Sequence, residues 1–146
     1  MKVFFIPGAV PSSKNSRVRT KTGLFIASAA TQRYKKLSKP YLLAFKYEFI
    51  IEREKHPKPT VIGFHFVRGT KHQWDFINAL QTIQDEMVHN GLLDDDNTTL
   101  LLPVPLYING SCFSYDKENP GVYFAVLDYE ETFAYQKTLS YDIRKA

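Results

Sequence analysis

The sequence predicts an α+β protein, a single domain in which helices pack against a mixed β-sheet. A length of 146 residues suits one domain, residues 1–146, with a substantial core, and 44% of the residues are apolar. The segment "TVIGFHFVRG" (60–69) alternates along its length, as a strand does. The segment from Trp74 to His89 repeats its apolar residues at helical spacing.

The first third of the chain predicts a strand, a loop and a helix. The segment "KVFFIPG" (2–8) is strand-like and ends at a turn, and "VPSSKNSRVRTKTG" (10–23) is rich in turn formers and predicts a loop. After "LFIAS" (24–28), a possible short strand, Ser28 is placed to cap a helix. Pro40 is expected to kink or restart that helix.

The middle of the chain predicts a helix, a strand and a second helix. The segment "YLLAFKYEFIIERE" (41–54) also alternates at period two, but its Leu, Ala, Lys and Glu content favours a helix. After the strand at 60–69, the helix from Trp74 is expected to stop at Gly91. The segment "LLDDDNTTLLLPVPLYI" (92–108) then leads from a turn into an apolar strand.

Charge is divided unevenly between the two halves of the chain. Met1–His72 contains 15 Lys and Arg against 3 Asp and Glu, whereas Gln73–Ala146 contains 4 against 12. The two halves could simply neutralise each other in the fold. The cations, however, gather in two short segments that together suit the phosphate backbone of a nucleic acid. These cations are Lys14, Arg17, Arg19 and Lys21 in the loop, and Arg33, Lys35, Lys36 and Lys39 in the helix.

Acids mark the second predicted helix and the turn after it. Asp75 lies in the first turn of the helix, and Asp94, Asp95 and Asp96 follow its end. Carboxylate oxygens are the ligands that Mg²⁺ prefers, usually one or two together with water and substrate phosphate. The alternative from spacing alone is a solvated turn, with Asp75 acting only as a helix cap.

Four motifs occur in order and carry a family resemblance. They are "IPGAVPSSKNSR" (6–17), an Asp-x-x-Asn that opens a helix (75–78), "QTIQDEM" (81–87) and "GLLDDDN" (91–97). This arrangement resembles the RusA family of Holliday-junction resolvases, small endonucleases mostly of phages and prophages. The resemblance runs from Phe5 to about Thr99, and "YDKENPGVYFAVLDYE" (115–130) is similar to the end of that family's fold.

The resemblance implies site residues position by position. It places Asp75 and Asp96, with Asp95 beside it, as catalytic acids that bind Mg²⁺, with Mn²⁺ as a possible substitute. It places Asn78, Gln81 and Asp85 in supporting positions around them. The residues expected to bind DNA are Lys14, Asn15, Arg17, Arg19, Lys21, Arg33, Lys35 and Lys36.

Two positions depart from the family pattern. Ile77 stands where the family has a second catalytic acid, and Gln81 stands where it has a helix Lys. Asp94 or Asp95 could supply the missing oxygen, or the ligands could be rearranged. The chain could also bind junctions without cutting them.

The expected function is Mg²⁺-dependent hydrolysis of four-way or branched DNA by a homodimer, because two matched cuts need two sites related by a two-fold axis. A protein-interaction domain whose acid run is only a turn is the alternative from another class. The four-residue apolar run at the N-terminus is too short for a signal peptide, and no later run would span a membrane. The single Cys112 excludes an internal disulfide and fits a reducing cytoplasm. The resemblance implies that this is a bacterial cytoplasm, with a bacterial, phage or prophage gene as the source.

Overall fold

The computed structural model describes residues 1–15, 17–140 and 142–145, and it has the predicted α+β class with a mixed sheet. The strands are β1 (Val3–Pro7), β2 (Arg17–Arg19), β3 (Phe25–Ala27), β4 (Thr60–Arg68), β5 (Leu101–Pro105), β6 (Ser114–Tyr115) and β7 (Gly121–Leu127). The helices are α1 (Ala29–Glu54), α2 (Phe76–His89) and α3 (Tyr129–Thr138), and short 3-10 turns occur at Ser13–Asn15 and Ile143–Lys145.

The main sheet has the order β1-β7-β4-β5, and β6 continues the β5 edge of β4. β7 runs antiparallel to both β1 and β4, whereas β5 and β6 run parallel to β4. A parallel pair needs a crossover between its strands, and α2 lies in the connection from β4 to β5. The candidate site residues on α2 are therefore anchored to the centre of the sheet.

β4 was predicted as a strand, and both of its faces are buried. Ile62, Phe64 and Phe66 join the core beneath the helices, where the rings of Phe4 and Phe124 also pack. On the opposite face lies the buried side chain of His65. Its Nδ1 is 2.9 Å from the Leu106 carbonyl oxygen and its Nε2 is 2.9 Å from the Ser114 hydroxyl. Hydrogen bonds to both ring nitrogens explain how the sheet accommodates this polar ring.

α1 is one continuous helix of 26 residues, as the helical interpretation of 41–54 predicts. The Ser28 hydroxyl caps it by accepting a hydrogen bond from the Thr31 amide at 3.2 Å. Pro40 lies inside the helix without restarting it. Pro40 lies on an exposed side of the helix. The Lys36 carbonyl, which a proline at position 40 leaves without its helical hydrogen bond, therefore remains open to solvent.

α2 begins at Phe76, two residues later than predicted, because Asp75 is its N-cap. Its end follows the prediction. Gly91 has a φ of +80°, and the Leu92 amide donates to the Met87 carbonyl at 2.9 Å. This is the hydrogen-bonded helix ending that glycine favours. The ending turns the chain sharply, so Asp94–Asp96 leave the helix in a fixed direction.

Two elements differ from the sequence predictions. Part of the predicted 10–23 loop forms β2, which pairs with β3 in a separate two-stranded hairpin. α3 was not predicted as a helix, although Asp128 caps it by accepting from the Glu131 amide at 2.8 Å. No residue of α3 is buried, so its sequence lacks the apolar stripe that reveals a helix. Among the described residues, no helix has the length and apolar character needed to cross a membrane.

Candidate nucleic-acid and metal site

The loop that precedes β2 is docked on the polar face of α2. The Thr82 hydroxyl donates a hydrogen bond to the Pro11 carbonyl oxygen at 2.8 Å. The Ser13 hydroxyl lies 3.2 Å from Gln81 Oε1 and 3.5 Å from Asn78 Oδ1. These contacts join the N-terminal loop motif to the α2 motifs, which the resemblance placed in one site. Gln81, which stands at the family's Lys position, holds the loop rather than pointing freely into solvent.

A cleft of about 390 Å³ lies where α2 begins, on one side of this docked loop. We call it the basic cleft, and it is lined by Lys14, Arg68, Trp74, Asp75 and Asn78, among others. Two cations thus face one carboxylate across an open space at a helix start, where backbone amides also favour negative charge. The basic cleft is therefore suited to a phosphate group.

Arg68 is a candidate phosphate-binding residue that the sequence analysis missed. Its guanidinium carbon lies 4.9 Å from the centroid of the Trp74 ring, and its Nη1 is 3.4 Å from the Val10 carbonyl oxygen. Burial lowers the pKa of the guanidinium from its usual value, and Nε has no hydrogen-bond partner among the described residues. In the sequence, Arg68 stands out only as a single Arg at the end of an apolar strand, which does not by itself indicate a binding site.

Asp75 has a structural role that its position alone left open. Its carboxylate accepts a hydrogen bond from the Ile77 amide at 2.9 Å and caps α2. The carboxylate is exposed at the edge of the basic cleft, so its remaining lone pairs face solvent. Ile77, at the family's acid position, is 69% exposed and supplies no oxygen.

A second hollow, of about 450 Å³, lies on the other side of the docked loop toward the end of α2. We call it the acidic hollow, and it is lined by Asp85, Glu86, His89, Arg17 and Lys35, among others. Inside it, burial raises the pKa of Asp85, and the nearby negative charge of Asp96 raises it further. Lys35 and Arg17 act in the opposite direction.

The negative charge of Asp96 acts on Asp85 of the acidic hollow, although the resemblance placed these two residues in different roles. Asp96 was expected to bind metal with Asp75, and Asp85 to support them. The charge of Asp96 acts on Asp85, however, and Asp85 lies ten residues beyond Asp75, or about 15 Å along the helix axis. The carboxylates therefore divide between the two ends of α2.

Glu86 is a second residue that the sequence analysis missed. Its side chain is buried, and this burial raises the pKa of its carboxyl group, whereas the charges of Lys35 and His89 lower it. The motif "QTIQDEM" contained Glu86, but only the preceding Asp85 was singled out. His89, which the sequence analysis left outside the site, also lines the acidic hollow.

Asp95 shapes the turn that carries the acid run. Its Oδ1 accepts from the Asp96 amide at 2.8 Å and its Oδ2 accepts from the Asn97 side chain at 3.1 Å. These two bonds, the one from Asn97 first, lower the pKa of Asp95. All three acids of the run are exposed. Asp95 thus orders the turn that presents Asp96.

The predicted DNA-binding cations lie in several places. Lys14 lines the basic cleft, whereas Arg17 and Lys35 line the acidic hollow. Arg19 and Lys21 are exposed on the β2–β3 hairpin, and Arg33 and Lys36 are exposed on α1. Asn15 lies in the 3-10 turn, and its side chain is outside what the structure describes.

The fit to a metal ion is limited to a pair of carboxylates. Across residues 1–15, 17–140 and 142–145, no group of three or more His, Cys, Asp or Glu is arranged to hold a metal. The charge of Asp96 acts on Asp85, and Mg²⁺ is commonly held by one or two carboxylates completed by water and substrate phosphate. The acidic hollow therefore fits Mg²⁺ only with such additional ligands.

In comparison with known proteins, the chain matches no protein-family model and no curated protein. The resemblance to the RusA family therefore rests on the motifs in the sequence.

Proposed function

We propose that this chain is a divalent-metal-dependent endonuclease that binds and cuts four-way or other branched DNA. The observation that carries the proposal is the docking of the basic loop along α2. It brings Lys14 and Arg17 beside the helix that bears Asp75 and Asp85. A nuclease needs cations for the DNA backbone next to carboxylates for a metal, and the order of the four motifs favours the same function.

The proposed division of work follows the two ends of α2. Lys14 and Arg68 bind one phosphate in the basic cleft, while Arg17 and Lys35 bind another beside the acidic hollow. Each pair consists of one Lys and one Arg, and both side chains attract a backbone phosphate without recognising the base sequence. Junction binding should therefore weaken steeply as salt increases.

Asp96 and Asp85 are the residues proposed to hold Mg²⁺, with Mn²⁺ as a substitute. A bound divalent ion would polarise the scissile phosphate and lower the pKa of a water molecule. The raised pKa of Asp85 reflects a partly desolvated carboxylate near the negative charge of Asp96, and a bound cation would offset both effects. Matched cuts across a junction further require two copies of the chain related by a two-fold axis.

The test is cleavage of a labelled synthetic four-way junction, with Mg²⁺ and then Mn²⁺, beside a linear duplex of the same sequence. We expect paired, symmetric cuts by the wild type and a loss of about a hundredfold or more in Asp96→Asn. Asp94→Asn is the matched control, because Asp94 is exposed in the same turn and, unlike Asp96, is not among the charges that act on Asp85.

Junction affinity is measured in parallel without metal. Retained affinity with lost cleavage in Asp96→Asn would support a metal role for Asp96. Equal cleavage by the wild type and Asp96→Asn in both metals would contradict that role.

A second candidate function is junction binding without cleavage. The exposed Ile77 at the second acid position and the capping role of Asp75 favour it, since both reduce the carboxylates available for metal. It predicts tight, salt-sensitive junction binding with no cuts in either metal.

A further inference from the structure

The outward face of α1 carries a stripe of large apolar side chains. Leu43, Tyr47 and Ile51 follow one another at intervals of four residues and are 45%, 76% and 58% exposed. Side chains four apart lie one above the other on a helix. These three therefore form a continuous apolar ridge about two turns long.

The ridge lies on the side of α1 that faces away from the core. The buried residues of the helix include Tyr34, Ser38, Leu42 and Phe49, and a helix residue two positions along points roughly to the opposite side. A surface helix normally presents polar residues on that side. A contiguous exposed apolar ridge marks a surface for a partner more often than isolated apolar residues do.

The two ends of the same face carry opposite charges. Lys36 stands before the ridge and Glu54 after it, and both are exposed. Lys36 makes no ion pair within the part of the chain that the structure describes, and Glu54 has only a 3.6 Å contact with Arg53. The whole helix shares this asymmetry, with its cations concentrated before Pro40 and its acids after it.

We propose that the outward face of α1 binds the same face of a second copy, with the two helices antiparallel. A two-fold axis level with Phe45 places Leu43 of each copy against Tyr47 of the other. The same axis places Lys36 of each copy against Glu54 of the other, because both pairs are centred on position 45. One register therefore packs Leu43 against Tyr47 and neutralises both charged ends, while Ile51 lies opposite Lys39.

This arrangement rests on α1 alone and does not require the proposed nuclease activity. It assigns Lys36, one of the cations expected to bind DNA, to self-association instead. A parallel arrangement would set Lys36 against Lys36 and Glu54 against Glu54, which repel. The charges thus select the antiparallel partner, which is the chain itself.

The test is the oligomeric state of the full chain by analytical ultracentrifugation over a concentration series. We expect the wild type to approach twice the 16.9 kDa chain mass as concentration rises. Tyr47→Lys should raise the dimer dissociation constant by about a hundredfold, since it places charge within the ridge. Lys36→Glu and Glu54→Lys should each raise it by about tenfold.

The double variant Lys36→Glu with Glu54→Lys decides the register. Antiparallel pairing predicts that it dimerises like the wild type, because both charge pairs are restored with reversed sign. Lys117→Glu, an exposed charge reversal away from α1, is the matched control and should leave the constant unchanged. A wild-type chain that stays monomeric, or a double variant weaker than either single one, would overturn the proposal. Binding of the monomer to anionic lipid vesicles through Tyr47 would overturn it in favour of a membrane surface.

Discussion

The two ends of α2 carry opposite kinds of chemistry on the same face. At its start, the basic cleft has two cations and one carboxylate, and that carboxylate already accepts a backbone hydrogen bond. Toward its end, the acidic hollow has two carboxylates with raised pKa values, Asp85 and Glu86, and the charge of Asp96 close by. One helix thus presents one end suited to an anion and another end suited to a cation.

The difference between the two ends suggests separate roles for Asp75 and Asp85, which the family motif places in one site. Asp75 and Asp85 are about 15 Å apart along the axis, a length that spans about four phosphates of one DNA strand. A strand lying along the docked loop would contact both ends at once. The motif order records that these residues belong to one surface but does not say which of them meet.

The largest expected effect is a difference in cleavage between variants of the carboxylates at the two ends of α2. Asp85→Asn should reduce junction cleavage by about a hundredfold or more, because it removes one of the paired carboxylates in the acidic hollow. Asp75→Asn should retain most of the cleavage, since asparagine also caps a helix start. Cleavage rates under single-turnover conditions measure both.

Folding provides the control for this pair. Both variants should unfold in urea at nearly the wild-type concentration, whereas Asp75→Ala should lose about 1 kcal/mol of stability with its cap. If Asp75→Asn loses cleavage as fully as Asp85→Asn, the metal lies at the start of α2 and the assignment of the two ends is wrong.

The next effect tests the anion-binding end. Arg68→Ala should weaken junction affinity by about tenfold in low salt. It should also reduce the slope of log affinity against log salt concentration by about one, because one fewer phosphate is neutralised. Arg68→Lys should recover only part of the affinity, because lysine lacks the planar group that lies over Trp74. Lys117→Ala is the control, and an affinity for Arg68→Ala equal to that of the control would remove Arg68 from the DNA surface.

The smallest effect is a dependence of stability on pH. The pKa of Asp85 is raised in the fold, so its favourable contribution is complete below the usual aspartate pKa and is lost as pH rises through the folded value. Asp85→Asn should therefore melt about 2 °C above the wild type at neutral pH in metal-free buffer, with no difference in acid. Asp85 is exposed, which keeps this shift small.

Added Mg²⁺ sharpens the same measurement. It should raise the melting temperature of the wild type and not that of Asp85→Asn, because a ligand stabilises only the state that binds it. A stabilisation of equal size in both proteins would place Mg²⁺ elsewhere.

The class of the fold and most of its elements follow from the sequence because their buried faces are written as apolar periodicity. β4 and α2 are the clearest cases, and Gly91 and Ser28 set helix ends by local chemistry. α3 escapes this method because it buries nothing. The β2 strand escapes it because three exposed residues in a polar stretch carry no period.

The candidate site is harder to predict from the sequence than the fold, because it depends on which side chains from distant segments come into contact. The sequence singled out Asp75 and Asp96 as metal-binding acids, and both are exposed, but it did not show that the charge of Asp96 acts on Asp85. Arg68 comes into place only when β4, Trp74 and the loop at Val10 are assembled. Such contacts between distant segments have no local signature.

The pairing of β1 with β7 constrains the order in which the chain folds. Val3 pairs with Ala125, so β1 finds its neighbour only after all the residues between these two positions have been made. At usual synthesis rates that interval is on the order of ten seconds, during which β1 has an open edge. The β4–α2–β5 unit can form earlier, and contacts of such long sequence separation are slow to close. β1, the first of these strands to be made, is thus among the last to be secured, and its apolar residues depend until then on the rest of the nascent chain or on a chaperone.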